Sequence, residues 1–536
     1  MLIRRLLTWL VLFATLVSTA GAAEQGSTRS DQDQEQVFRF NIGGEPPTLD
    51  PQFIEDIIGY DIARNLFEGL LVQRADGTLA PGVAERWNSN PEHDRFTFYL
   101  RKNARWSNGE AVTAHDFVYA WRRSVDPDLA SPQIAYMETM AVKNAAAIRQ
   151  RKQPPSSLGV KAIDDHTFEV ELERSLPYFP NMVVFSVTMP VPQKLIKKYG
   201  NAWTKAGNLV GNGAYVLVEH QLNERMELVR NPYYWNDRQT HVDKLVARVI
   251  NDDTQAFNRY LAGELDITNV PVGQLKRLLN EFPDETFITP RLCSYYLNIN
   301  VERKPFDDDR VRRALAYAVD RDIITRHVTG SGQIPAFTFT PEATANFSVP
   351  DVSYAALSQA ERYRQAKELL DSAGFGQNNP LKLTILYNTS EGHKKIAIAI
   401  SQMWKQHLGV EVTLENQEWK TFLTTRDQGD FEIARAGWCG GYNEASAFLN
   451  LMRSDSEFND SNYANPKVDS LLKQASLSKA PYAYYLEVER ILAEEFPVIP
   501  IYHYTSAILV KPYLKGWPIN NVQNLWYAKD LSLKPH

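Results

Sequence analysis

The sequence predicts an α/β protein with more than one domain. Apolar residues recur at helical spacing in some stretches and alternate in others, and the two patterns follow each other along the chain. The clearest case is the strand pattern at 381–387, the helical pattern at 394–407 and the strand pattern at 410–414, which together predict a βαβ unit. A chain of 536 residues is too long for one hydrophobic core, so we expect two or three domains.

Two further strands and a turn are predicted near the beginning of the folded chain. Alternating apolar residues at 37–42 and 96–100 are typical of strands that are buried on one face. The sequence Trp-Ser-Asn-Gly at 106–109 predicts a turn.

Helix starts are also visible. Thr113 and Asp116 have the spacing of a capping box ahead of an apolar stretch. A second helix is predicted at 309–320, because Val311 and Leu315 would lie on one face.

The N-terminus has the features of a secretory signal peptide at 1–23. Arg4 and Arg5 precede an apolar run at 6–17 and a series of small residues, and no cysteine lies nearby to carry a lipid. The polar segment 24–36 predicts a flexible arm before the folded part. No later stretch has 18 uninterrupted apolar residues, so the exported chain is expected to be soluble.

The charge gives no indication of nucleic-acid binding. The formal net charge is -6, and it becomes -8 without the signal peptide, which contains two arginines and no acids. A nucleic-acid-binding surface needs clustered basic residues on a positively charged domain.

The chain has two cysteines, Cys293 and Cys439. An even number in an exported protein favours a disulfide, which would close a long loop. Two buried free thiols remain the alternative.

Motifs of common enzymes are absent from the sequence. It contains no phosphate loop G-x-x-x-x-G-K-[ST], no nucleophile elbow G-x-S-x-G and no zinc motif H-E-x-x-H. No two of its ten histidines are four residues apart. We therefore expect no metal and no cofactor, and an exported hydrolase is the least supported class.

The segment 435–443 concentrates unusual residues and reads R-A-G-W-C-G-G-Y-N. Its glycine pair is a poor phosphate cradle, because no lysine follows until Lys467 and the glycines are adjacent rather than spaced. Two adjacent glycines more simply permit a close backbone approach.

Several segments, in order along the mature chain, resemble the oligopeptide-binding proteins of bacterial ABC importers, extracellular solute-binding protein family 5. They are N-I-G-G-E-P-P-T-L-D-P at 41–51, N-L-F-E-G-L at 65–70, L-A-P-G-V-A-E-R-W at 79–87, W-S-N-G at 106–109, N-G-A-Y at 212–215, N-Q-E-W-K-T-F at 416–422, A-R-A-G-W-C at 434–439 and V-K-P-Y at 510–513.

The resemblance implies a two-lobed periplasmic binding protein clamp with an extra domain inserted in the first lobe. By position, residues 37–67, 191–292 and 509–536 would form the first lobe, 68–190 the inserted domain and 293–508 the second lobe. Both cysteines then fall in the second lobe and match the disulfide of the family.

The resemblance also implies a periplasmic, monomeric protein that encloses an extended peptide and delivers it to an inner-membrane ABC permease. In this family, protein backbone groups bind the main chain of the peptide, and its side chains occupy roomy, hydrated pockets.

The family's motifs assign roles to individual residues. By this match, Arg435, Arg426 and His393 would meet peptide carboxyl termini of different length, Trp419 and Trp438 would form pocket walls, and Glu55 would be an acid beside the ligand. An arginine that joins two strands and a tryptophan in the core are the structural alternatives.

One position departs from the family. The usual pattern W-C-A-D-Y-N has an aspartate that pairs with the α-amine of the peptide, and Gly441 occupies that position here. Asn298 likewise stands where peptide binders often have a glutamate. Two negative charges expected around the ligand are thus missing.

This departure leaves two ligand classes open. Another acid, such as Glu55 or Glu444, could bind the amine of a free peptide. Alternatively, the ligand lacks a free α-amine, as in a blocked or cell-wall peptide or an organic anion of bile-acid type.

Overall fold

The computed structural model describes residues 35–456, 458–478 and 480–536, without the side chains of Trp419 and Lys420. The predicted signal peptide and all but the end of the predicted arm lie outside the described residues.

The folded chain alternates strands and helices. The strands are β1 (Val37–Asn41), β2 (Leu71–Gln73), β3 (Leu79–Pro81), β4 (Ala84–Ser89), β5 (Arg95–Leu100), β6 (Val160–Asp164), β7 (Thr167–Glu171), β8 (Tyr215–Gln221), β9 (Arg225–Arg230), β10 (Lys244–Arg248), β11 (Ile267–Asn269), β12 (Thr286–Ile299), β13 (Ile334–Pro335), β14 (Lys382–Asn388), β15 (Glu411–Gln417), β16 (Ile433–Cys439), β17 (Val498–Val510), β18 (Leu514–Lys515) and β19 (Ser532–Leu533). The α-helices are α1 (Ile57–Leu66), α2 (Ala114–Ser124), α3 (Tyr136–Thr139), α4 (Ala145–Arg149), α5 (Phe179–Met182), α6 (Gln193–Tyr199), α7 (Asp253–Leu261), α8 (Leu275–Glu281), α9 (Asp309–Tyr317), α10 (Arg321–Ile323), α11 (Gln359–Ser372), α12 (Glu391–Leu408), α13 (Trp419–Asp427), α14 (Ser446–Leu449), α15 (Pro466–Leu477) and α16 (Tyr482–Glu495).

Two long neighbouring strands connect the two lobes of an α/β clamp. The main sheet has the order β15-β14-β16-β12-β17-β11-β1-β10-β9-β8, and β13 also pairs with β17. Strands β12 and β17 pair from Thr286 opposite Leu509 to Asn298 opposite Val498. One end of this pair continues into β11 and β1, and the other end continues into β16 and β14. The predicted two-lobed clamp is confirmed.

The connecting strands are irregular at one point. Between the pairs Pro290–Thr505 and Ser294–His503, residues 291–293 of β12 lie opposite the single residue Tyr504 of β17. Such a bulge bends a strand and increases its twist. The backbone of Leu292 is held there on both sides, since its N–H donates to Val522 O (2.7 Å) and its carbonyl accepts from Gly440 N (2.9 Å).

A separate sheet with the order β4-β5-β7-β6 packs against α2 within the region predicted as an inserted domain. Thr113 caps α2 in the predicted capping box with Asp116. Trp121 of α2 is fully buried, and its ring meets Phe168 of β7 edge-on, with ring centroids 5.2 Å apart. The predicted domain boundaries remain predictions.

The second lobe contains the predicted βαβ unit. Parallel strands β14 and β15 flank α12, whose first turn is capped by Ser390 and whose last turn ends at Gly409 with a φ of 70°. The left-handed φ at Gly409 is the usual way to end a helix. The predicted helix at 309–320 is shorter, because α9 ends at Tyr317 and Asp320 instead caps α10.

No helix in the described part of the chain is long and apolar enough to cross a membrane.

Candidate ligand-binding site

Strand β16 offers an unpaired edge at the centre of the predicted site. It pairs with β12 from Ile433 to Cys439 but with β14 only at Ile433 and Ala434. The N–H of Gly440 points to β12. Because successive residues of a strand direct their backbone groups to opposite edges, those of Gly437 and Cys439 point to the free edge. An extended peptide could pair there as an added strand.

Arg435 begins this free edge, and its guanidinium has only neutral neighbours. Its Nη1 donates to Asn388 Oδ1 (3.4 Å), its Nη2 donates to Tyr504 Oη (3.2 Å), and the group lies 5.1 Å from the Tyr295 ring centre. Its buried Nε has no hydrogen-bond partner, and no carboxylate of the described residues lies within ion-pair distance. A buried cation without a counter-charge is unfavourable, so this position favours an anionic ligand group.

His393 lies beside the same tyrosine, with 5.6 Å between its ring centre and that of Tyr295. Its Nδ1 is buried without a hydrogen-bond partner among the described residues. Burial, and to a smaller extent the charge of Arg435, lowers the pKa of His393 to about 3. The imidazole is therefore neutral at physiological pH.

A pH titration checks this state of His393. Ligand affinity is expected to show no histidine transition between about pH 5 and 8. The depressed pKa favours the neutral form in the folded state, so its contribution to the free energy of unfolding is lost as pH falls from about 6.5 to about 3. NMR of the imidazole signals, with His393→Gln as the control for assignment, measures the pKa. A value near 6.5 would contradict the buried neutral state.

Arg426 differs from Arg435 because it already has a carboxylate partner. Its Nε lies 3.0 Å from Asp460 Oδ2, and Asn298 Nδ2 donates to the same oxygen at 3.1 Å. Burial raises the pKa of Asp460, although the charge of Arg426 opposes this shift. Asp460 thus places an acid directly beside Asn298, the position where a glutamate was expected.

The two predicted tryptophans differ in that only the side chain of Trp438 belongs to the described residues. Trp438 is half-buried, donates from Nε1 to Ala447 O (2.7 Å) and contacts the ring of Phe458 with centroids 5.2 Å apart. The side chain of Trp419 lies outside the described residues, although its backbone begins α13. Their predicted roles as pocket walls remain predictions.

The predicted disulfide between Cys293 and Cys439 is present and joins directly opposite residues of β12 and β16. The glycine pair that follows has two different environments. A Cβ on Gly440 would meet Leu292 Cδ2 at 2.9 Å and Phe448 Cε2 at 3.0 Å, so an alanine there would require these side chains to shift. A Cβ on Gly441 would have Phe185 as its nearest neighbour, at 3.9 Å, so a side chain has room there.

Glu444 and Glu55, the two acids considered as replacements for the missing aspartate, are not equivalent. Glu444 accepts from the N–H (2.6 Å) and Oγ of Ser446, and burial raises its pKa. Glu55 is exposed, and burial followed by repulsion from Asp56 raises its pKa. Glu444 is thus already engaged within the protein, and the role of the exposed Glu55 beside the ligand remains a prediction.

The second lobe contacts the predicted inserted domain close to Gly441. The rings of Tyr178 and Tyr442 stack with centroids 5.7 Å apart, and the hydroxyl groups of Tyr178 and Ser446 lie at hydrogen-bond distance, 3.3 Å. Phe185 packs against Tyr60 and Tyr136, with ring centroids 4.9 and 4.7 Å away. The end of the free edge therefore faces an aromatic wall.

Sequence reasoning missed several of these residues. Tyr295, Tyr504 and Asn388 surround Arg435, and Tyr178 and Phe185 form the wall near Gly441. The aromatic run at 502–504 was a weak signal, since a tyrosine hydroxyl can accept a hydrogen bond from an arginine without carrying a charge.

Comparisons with known proteins agree with this architecture. The model of the family described as "Bacterial extracellular solute-binding proteins, family 5 Middle" matches residues 78–460. The chain is 43% identical to the periplasmic murein peptide-binding protein MppA of Escherichia coli strain K12 over 533 residues, with 99% of both chains covered. It is also 43% identical to the periplasmic oligopeptide-binding protein OppA of Salmonella typhimurium strain LT2, with 98% of this chain and 97% of the relative covered.

A solved structure extends the similarity to three dimensions. The Escherichia coli murein tripeptide binding protein MppA superimposes with a TM-score of 0.86 at 43% identity, covering 94% of this chain and 99% of that one.

Proposed function

Because the chain belongs to the bacterial extracellular solute-binding proteins of family 5, we propose that it is the periplasmic binding component of an ABC importer. It captures a peptide or peptide-like ligand between its lobes and delivers it to an inner-membrane permease. It is exported by the N-terminal signal peptide and acts as a carrier rather than as an enzyme. The observation that carries the proposal is that Arg435, at the start of the unpaired edge of β16, has no carboxylate partner among the described residues.

Each part of the site has a role in this proposal. The free edge at Gly437 and Cys439 pairs with the main chain of an extended ligand, which is independent of ligand sequence. Arg435 donates two parallel hydrogen bonds to a ligand carboxylate. Trp438 bounds the space for ligand side chains.

The ion pair between Arg426 and Asp460 bears on where the carboxyl terminus of the ligand binds, and thus on ligand length. The positive charge of the Arg426 guanidinium is balanced by the carboxylate of Asp460 at 3.0 Å, whereas Arg435 has no acid within this distance among the described residues. The neutral His393 supplies a hydrogen bond rather than a charge. The carboxyl terminus of the ligand therefore binds Arg435, and Arg426 contributes to the site through its ion pair with Asp460.

A second candidate ligand class has no free α-amine. It is favoured by the environment of Gly441, where Phe185 is the nearest side chain and Glu444 is engaged by Ser446. An amine that is buried there without a counter-charge would be unfavourable. A blocked peptide, a cell-wall peptide or an amphipathic organic anion avoids that cost.

Thermal-shift measurements with free tripeptides, N-acetylated tripeptides and bile acids test the proposed function and separate the two candidates. A ligand that binds only the folded state raises the melting temperature. Stabilisation by free-amine peptides alone would rule out the second candidate. Stabilisation by none of the three groups would contradict the proposed function.

Restoring an acid at Gly441 is expected to change amine recognition. The variant Gly441→Asp should bind free-amine tripeptides about 10-fold or more tightly than the wild type, because a charged hydrogen bond contributes about 1.5–3 kcal/mol. The nearest atom to a new Cβ is 3.9 Å away, so the backbone can remain in place. Isothermal titration calorimetry measures the affinities.

The control variant Gly441→Asn adds nearly the same volume without the charge and should give no such gain. N-acetylated tripeptides should not gain affinity for Gly441→Asp. Equal gains for Gly441→Asp and Gly441→Asn would show that charge at this position does not govern amine binding.

A further inference from the structure

A second buried arginine lies at the junction of the lobes. Arg291 belongs to the three-residue segment of β12 that bulges opposite Tyr504 of β17. The backbone of the neighbouring Leu292 forms hydrogen bonds to Val522 and Gly440. The hydroxyl of Tyr504 accepts from Arg435 at 3.2 Å, and Tyr504 is also an electrostatic neighbour of Arg291. The two arginines, on different strands, thus share one tyrosine as a neighbour.

Arg291 has no acid of its own. Its buried Nε has no hydrogen-bond partner, and no carboxylate in the described ranges forms an ion pair with it. Its strongest electrostatic neighbour is Asp61 of α1. Asp61, however, is already paired with Arg64 at 2.6 Å and accepts a hydrogen bond from Trp526. Asp61 is therefore ion-paired with Arg64 and is only an electrostatic neighbour of Arg291.

The charges around Tyr504 are consequently unbalanced. Among the described residues, neither Arg435 nor Arg291 has a carboxylate at ion-pair distance, whereas Arg64 is paired with Asp61 and Arg426 with Asp460. His393 is neutral and contributes no charge. Buried positive charges without partners are costly, and a ligand that brings two negative charges would offset both.

We infer that Arg291 is a second anion-binding position of the same cleft and that the preferred ligand carries two neighbouring carboxylates. The inference rests on the proposed function. Because both guanidiniums border Tyr504, the simplest such ligand is a peptide whose last residue is glutamate or aspartate. Its α-carboxylate binds Arg435, and its side-chain carboxylate binds Arg291.

Matched peptides that differ by one charge test the inference. The probes are Ala-Ala-Glu and Ala-Ala-Gln, each with a free and with an acetylated amino end, so that the comparison does not depend on the amine. By isothermal titration calorimetry, the wild type should bind each glutamate peptide about 10-fold more tightly than its glutamine partner. In Arg291→Gln this ratio should fall close to one, and in Arg291→Lys it should be intermediate.

The control variant is Arg326→Gln, which removes an exposed arginine whose side chain is 73% accessible and should leave the ratio unchanged. Equal wild-type affinities for the glutamate and glutamine peptides would overturn the inference and leave the proposed function standing. Failure of all four peptides to bind would overturn the proposed function and the inference with it. If Arg291→Gln does not fold, the wild-type ratio and Arg291→Lys still decide the question.

Discussion

Replacing Arg435 with glutamine is expected to weaken the binding of a carboxylate-terminated peptide by about 100-fold or more. The guanidinium is largely buried, and truncating one partner of a desolvated charge pair costs about 2–5 kcal/mol. Arg435→Lys keeps the charge but cannot donate two parallel hydrogen bonds, so an intermediate loss of about 10-fold is expected. Calorimetric titration of the same tripeptide with the three proteins gives the order directly.

Two controls separate binding from folding in this experiment. The ligand-free Arg435→Gln variant should melt no lower than the wild type, because the substitution removes a buried charge that has no carboxylate partner among the described residues. Arg426→Gln, which breaks the pair with Asp460, should lower stability and change affinity by less than about threefold. A larger loss of affinity in Arg426→Gln than in Arg435→Gln would mean that the carboxylate anchor has been placed at the wrong arginine.

Removing the disulfide is expected to have the largest effect on stability. The double variant Cys293→Ser/Cys439→Ser should lose about 2–4 kcal/mol of unfolding free energy. The bond closes a loop with a sequence separation of 146, so its loss increases the freedom of the unfolded chain. Urea unfolding at equilibrium, followed by tryptophan fluorescence, measures the change.

The wild-type protein with its disulfide reduced is the matched control and should unfold at the same urea concentration as the double variant. A double variant as stable as the oxidised wild type would show that the pairing of β12 with β16 holds these strands together without the crosslink. The bond also lies next to the free edge at Cys439, so the same variant should bind peptides more weakly.

Local patterns in the sequence predicted much of the fold. The capping box at Thr113, the strand at 382–388 and the helix that begins at 391 depend on neighbouring residues, and such signals are visible without tertiary contacts. The end of α9 could not be predicted in the same way. The periodic apolar pattern continues beyond Tyr317, but the backbone leaves the helix there, and Asp320 caps the next helix instead.

The sequence did not predict which arginines of the site have an acidic partner. Arg426 and Asp460 meet because α13 and the loop before α15 pack together, and Arg291 lies opposite Tyr504 in the strand register because β12 and β17 pair with a bulge. Both contacts join residues that are distant in the chain, and their distances depend on strand register. Family motifs suggested Arg435, His393 and Arg426 together, but only the three-dimensional neighbours separate an arginine without an acid from one that has an acid.

Gly441 illustrates the same limit in a different way. The sequence identified the missing acid, and the structure adds that Phe185 is the nearest neighbour of this position and that the adjacent Gly440 is closely packed against Leu292 and Phe448. The glycine pair therefore combines a closely packed residue with one at which a side chain has room.

A ligand is thus expected to pair with the free edge of β16 and to place its carboxylate on Arg435. A crystal structure of the protein with an N-acetylated tripeptide would show this binding mode. We expect main-chain hydrogen bonds to Gly437 and Cys439 and a carboxylate oxygen about 2.7–2.9 Å from the guanidinium of Arg435. A peptide carboxylate bound to Arg426, or a peptide main chain away from β16, would contradict it.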